Sequence, residues 1–83
     1  MSPTPSMTTL KAIRLSRGLS QEELAVMIHR NRSEISRWER AEEHLPREVE
    51  AKILSYFGLG NTDPGDLQLP WAQVQEKWHP TTG

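Results

Sequence analysis

The stretch HRNRSEISRWER, His29 to Arg40, puts four arginines into twelve residues of a chain that carries 10 basic against 11 acidic groups in all. Read as a helix, Arg32 to Arg40 places Ile35 and Trp38 on one side, with Glu39 beside Ile35, at about 100° per residue. The opposite side collects Ser33, Ser36, Arg37 and Arg40, and Arg32 lies at the exposed N-terminal end. A guanidinium on such a face can form a bidentate pair with guanine O6 and N7 in the major groove, and serine accepts several bases. The plain alternative is a solvated charged surface. Single strands and RNA are poorer partners, because stacking needs exposed aromatics. Here Trp38 points inward, and Tyr56 and Phe57 belong to a later helix.

Catalytic chemistry finds little support. There is no cysteine, no G-x-x-x-x-G-K phosphate loop and no Ser-His-Asp set at a favourable spacing. His29, His44 and His79 stand fifteen and thirty-five residues apart, without the spacing of a zinc site. They read as surface histidines, and no metal, cofactor, small-molecule substrate or enzymatic activity is expected. Glu42, Glu43, Glu48 and Glu50 read as a solvated acidic flank. Leu10 to Arg40 holds seven basic and four acidic residues, a balance of +3, whereas Ala41 to Gly83 holds three and seven, a balance of −4. A near-zero total does not exclude nucleic acid, since binding follows the local field, but it predicts weak non-specific attachment.

The elements that must position this face fit one small domain. At 83 residues a single marginal core is expected, stabilised by helix packing or oligomerisation and not by disulfides. The opening MSPTPSM has no basic or apolar leader, so neither a signal peptide nor a transmembrane helix is expected, and the absent cysteines suit a reducing, cytoplasmic setting. Residues 1–7 read as a disordered tail, 8–59 as the main domain and 60–83 as an extension. Thr8 or Thr9 caps a first helix ending at Gly18. Ser20-Gln21-Glu22-Glu23 fits a capping box opening a second helix, with Leu24, Ala25, Met27 and Ile28 as its apolar stripe. Asn31 or Arg32 leads into the third helix. Pro46 opens a fourth as its first residue, with Val49, Ile53, Tyr56 and Phe57 on one side until Gly58. NTDPG is a turn, and Pro70 starts a last helix with Trp71, Val74 and Trp78 on one face, ended by His79-Pro80. The fold class is all-α, a bundle of about five short helices.

GLSQEELAVMI followed by RSEISRWER resembles the helix-turn-helix of the Cro and phage-repressor (XRE) family, close to G-L-S-Q-x-x-L-A-x-x-x-G-V-S-x-x-x-I-S-x-W-E-x-G, from about Leu10 to Leu59. The resemblance implies a lambda-repressor-like fold and a duplex-DNA-binding regulator of a bacterium or phage-infected cell, with the third helix in the major groove. It implies base contacts for Arg32, Ser33 and Arg37. Phosphate contacts fall to Gln21, Arg30, Ser36 and Arg40, and a structural ion pair to Arg14 and Glu39. His29 and Arg30 stand where Gly-Val is usual, so the turn is looser or Arg30 is freed for phosphate. Ala41 replaces the usual glycine, so the third helix runs on or ends without a left-handed cap.

Leu67, Leu69, Trp71, Val74 and Trp78 remain to be explained. They cover a core, pack onto the fourth helix, form a homodimer or partner contact, or divide among these roles. A dimer suits a reader of paired half-sites. The reading reached is a dimeric repressor on a palindromic operator. The competing one is a protein-interaction module, such as an antitoxin or anti-regulator, using the same scaffold.

Overall fold

Each of the first three helices begins where a side chain satisfies its first amides. In the structure, a computed structural model that describes residues 7–59, 63 and 65–78, with side chains as far as Val74, α1 spans Thr9–Ser16 and is capped by the Thr8 hydroxyl. Ser20 and Glu23 form the reciprocal capping box of α2, Gln21–Met27. Asn31 and Glu34 form a second such box for α3, Arg32–Glu39, which the sequence reading overlooked. Pro46 occupies the N-cap of α4, Arg47–Tyr56, one position earlier than expected. After a short 3-10 turn at Asp66–Gln68 comes α5, Trp71–Trp78.

The first four helices end in the same way. The residue after the C-cap takes a positive φ, +71° at Gly18, +59° at His29, +56° at Ala41 and +72° at Gly58. The following amide then reaches back across the turn: Leu19 to the Arg14 carbonyl, Arg30 to Ala25, Glu42 to Arg37 and Leu59 to Leu54. These bonds satisfy carbonyls that helix ends otherwise leave unpaired. Ala41 therefore does not let α3 run on, nor does it end without a left-handed cap; an alanine adopts that conformation where glycine would do so without strain.

The core gathers Leu10, Ile13, Leu24, Ala25, Ile28, Ile35, Trp38, Leu45, Val49, Ile53, Leu54 and Phe57. Its α4 stripe is Val49, Ile53, Leu54 and Phe57. Tyr56, expected on that stripe, is 53% exposed, since the buried arc runs from Val49 through Ile53 and Phe57 to Leu54 and leaves Tyr56 at its edge. The extension belongs to the same body. Leu67 is part of the core, and the 3-10 turn and α5 pack chiefly against α1, not the fourth helix. Thr9 N–H donates to the Leu69 carbonyl at 2.9 Å and Trp71 N–H to the Met7 carbonyl at 2.8 Å, around an isolated antiparallel bridge between Thr8 and Pro70. Met7 is thus held. The rest of the expected tail, and the His79-Pro80 stop, lie outside the described residues.

Two outcomes follow. Relieving the left-handed alanine, Ala41→Gly, should raise the thermal midpoint by roughly 2–8 °C, from a net gain of about 0.5–1 kcal/mol. The reverse change, Gly58→Ala, should lower it by a similar amount, because a Cβ there meets nothing within 4 Å and only backbone strain is added; melts followed by helical circular dichroism decide both. The Glu23 carboxyl is held below its ordinary value by the Ser20 backbone amide and then by the Ser20 hydroxyl. A folded-state pKa below the unfolded one makes the cap's contribution complete above the ordinary glutamate value, and it is lost as pH falls through the folded value. An NMR titration should place the Glu23 midpoint below the ordinary glutamate value.

Candidate nucleic-acid interface

α3 is fixed by its apolar side. Ile35 and Trp38 are 0% exposed, and Glu39 is 4% exposed. Their burial fixes the rotation of the helix about its axis, so Arg32 and Ser33 emerge at the N-terminal end, and Ser36 and Arg37 remain half-buried along the flank. Arg32 has no carboxylate partner among the described residues. The Ser33 hydroxyl donates to Asn31 Oδ1 at 2.6 Å, reinforcing the cap.

Glu39 is the junction behind this face. Its carboxylate accepts from Arg14 Nε and from Arg14 Nη2, the latter at 3.1 Å, and from Gln21 Nε2 at 3.0 Å. Its backbone carbonyl accepts from the Thr8 hydroxyl at 2.7 Å. Arg14 has a further bond, Nη1 to the Leu19 carbonyl at 2.7 Å. One acid therefore ties α3 to α1 and to the head of α2, and it orients the Gln21 amide. Beside it a groove of about 530 Å³ opens between Lys11, Gln21, Ser36 and Arg40, floored by Thr8 and Glu39. The Arg14 guanidinium offsets the Glu39 charge there.

Arg30, Arg37 and Arg40 are held by acids. Arg37 Nε donates to Glu43 Oε1 at 3.1 Å, and Arg40 Nε lies 3.0 Å from Glu42 Oε2. Arg30 reaches Glu34 at 3.4 Å and Glu48 at 3.7 Å. Arg30 is thus anchored between α3 and α4. The acidic flank is correspondingly not a simple solvated surface: Glu42, Glu43 and Glu48 engage arginines, while Glu50 is buried and accepts the Gly65 amide at 2.7 Å.

Gln68 escaped the sequence reading altogether. Its amide donates to the Trp38 carbonyl at 3.2 Å and to the Glu43 carbonyl at 2.8 Å, while its Oε1 accepts the Leu45 N–H at 2.9 Å. A lone glutamine after a turn carries no signal for this role. Lys11 could have been found, since it lies one turn before Arg14 on the same face of α1.

Of the residues considered for a dimer or partner contact, Leu67 and Val74 are buried at 0% and 2% exposure, which leaves them no surface for a second chain. Leu69 is 37% exposed and Trp71 half-buried; the Trp78 side chain lies outside the described residues. His29 and His44 are exposed, and His79 also lies outside them. No group of His, Cys, Asp and Glu among the described residues is arranged to hold a metal ion.

A capped helix α2, a tight turn through His29 and Arg30, and a second capped helix showing arginine and serine outward define a helix-turn-helix protein. The family model described as helix-turn-helix matches residues 10–60. This is more than half of the chain, which therefore belongs to that family, the Cro and phage-repressor (XRE) type of DNA-binding regulator. Neither a curated protein nor a solved structure matches it. Among the described residues no helix is long and apolar enough to cross a membrane.

The Glu39 junction makes a direct prediction. Arg14→Ala or Glu39→Ala, each leaving one buried charge unpaired, should lose about 3–5 kcal/mol in denaturant unfolding. The paired replacement Arg14→Met with Glu39→Leu should lose less than either. A single-site loss below about 1 kcal/mol would mean the pair behaves as a surface contact.

Proposed function

We propose that the protein is a sequence-specific, duplex-DNA-binding repressor that acts as a dimer on a palindromic operator. The observation that carries the reading is the sorting of α3: complete burial of Ile35 and Trp38 directs Arg32, Ser33 and Arg37 toward one outward face at the N-terminal and central turns. These three residues read base edges, Arg32 and Arg37 as guanine-directed forks and Ser33 as a short hydrogen-bonding group. Gln21, Ser36 and Arg40 contact phosphate around the groove, where Lys11 adds a second cation, and Arg30 approaches the backbone from the turn.

Two copies are required by reach. An eight-residue helix meets only a few base pairs, and related folds gain specificity by pairing half-sites about one helical turn apart. Leu69 and Trp71 keep surface for the second copy, whereas Leu67 and Val74 support it from within. Repression follows by occlusion of polymerase, with no catalytic step. The acid-bound arginines do not favour the protein-interaction reading, because exposed pairs of this kind are weak enough to exchange for phosphate.

Selection of bound duplexes from a random pool, at two salt concentrations, tests the reading. The wild type should enrich a two-fold symmetric site, with affinity falling steeply as salt rises. Arg32→Ala and Arg37→Ala should each relax particular positions in both halves, by about 1–3 kcal/mol, whereas Arg40→Ala should weaken all sequences alike. Sedimentation should show dimers that Leu69→Ser weakens. No enrichment even at low salt would end the DNA reading.

A further inference from the structure

Arg37 is held in an asymmetric way. Only its Nε is bonded to Glu43, at 3.1 Å, and with the side chain 42% exposed the two terminal nitrogens are left as a fork for a partner. Guanine O6 and N7 accept such a fork, whereas a phosphate draws a guanidinium by charge from any direction. A carboxylate on Nε therefore leaves the base-reading geometry available and reduces the positive charge offered to phosphate.

The carboxylate is itself fixed by the fold. The left-handed Ala41 turns the chain back over α3, with the Glu42 amide bonded to the Arg37 carbonyl at 2.9 Å. Gln68, from the extension, then bonds the Glu43 carbonyl at 2.8 Å and the Leu45 amide at 2.9 Å. Glu43 thus departs from a pinned segment and not from a free loop. Most surface ion pairs lose what they gain to side-chain entropy, and this pinning lessens that loss on one side of the pair.

We infer that Glu43 is a positioning residue for DNA reading: held by Gln68 through the backbone, it orients Arg37 for guanine and lowers the attraction of Arg37 to phosphate, so that it raises discrimination and not affinity. The inference rests on the DNA-binding reading above. It gives the extension a part in recognition without any contact to DNA, and it puts acidic residues beside the reading helix to use.

The experiment compares affinities for the selected operator, for the operator changed at the guanine assigned to Arg37, and for unrelated duplex. Glu43→Gln should tighten binding to unrelated duplex roughly two- to fivefold, the scale of one exposed pair, while leaving operator binding level or weaker. The ratio between operator and unrelated duplex falls accordingly, and the loss is concentrated at that guanine. Gln68→Ala, which changes no charge, should lower the ratio in the same direction, with thermal melts confirming a folded protein. In an Arg37→Ala background, Glu43→Gln should leave the ratio unchanged.

An unaltered ratio in Glu43→Gln, or an equal fall with and without Arg37, overturns the positioning role while the DNA reading stands. A wild type that selects no duplex overturns the reading of function itself. A Gln68→Ala protein that is folded and fully selective removes the extension from the proposal.

Discussion

One buried carboxylate holds the reading face in place. Glu39 is a charge that burial would make unfavourable if it were alone, and it is retained because Arg14 meets it with two donors and Gln21 with a third. The consequence is geometric more than energetic. Three helices that share only short apolar contacts are fixed at a common point, which sets the rotation of α3 and the position of the α2 head together. A domain of this size has a total stability of only about 4–12 kcal/mol, so an uncompensated charge at that point rivals the whole margin. The groove beside it, with Lys11, Gln21, Ser36 and Arg40 at its edge, opens against the same carboxylate.

Electrostatics around α3 is layered. Nearest the core, Arg14 and Glu39 cancel and serve architecture. Farther out, Arg30, Arg37 and Arg40 are matched by Glu34, Glu43, Glu42 and Glu48, and Arg32 alone among α3's arginines stands without a carboxylate among the described residues. The overall charge of −1 is therefore not an accident of a neutral tail added to a basic domain. Acids are interleaved with the basic face itself, which damps the long-range field and leaves short-range complementarity to distinguish partners.

Much of the fold was legible because its signals are local. The Ser20 box, the Thr8 cap and Gly18 are each read within a few residues, and so is the sorting of Ile35 and Trp38 from the arginines. The frame of the helix-turn-helix follows from the same short range. What failed was set by distant partners. Tyr56 and Phe57 are equally apolar to a wheel drawn in isolation, and only the surrounding core chooses Phe57 and Leu54. Ala41 stands at the position of the usual glycine, but an alanine there reads against a left-handed turn, and only the structure shows that the turn is kept at φ +56°. Gln68 and Glu43 lie 25 residues apart, and no periodicity links them. The extension packs on α1, a partner some 60 residues away in the chain.

The bridge between Thr8 and Pro70 bears on how the molecule is made. The Thr9 side chain and Leu69, bonded at 2.9 Å, are 60 residues apart in the chain, and loop closure over such a span is slow relative to the formation of single helices. As the chain grows from the ribosome, α1 emerges before the other described helices and is one of the last of them to be completed. Until Leu67 and α5 arrive, the part of α1 that packs against them has no cover, so that contact is completed late in synthesis. The clasp between the early and late segments thus acts as a completion check: only a chain translated past the extension can close its first helix into the fold.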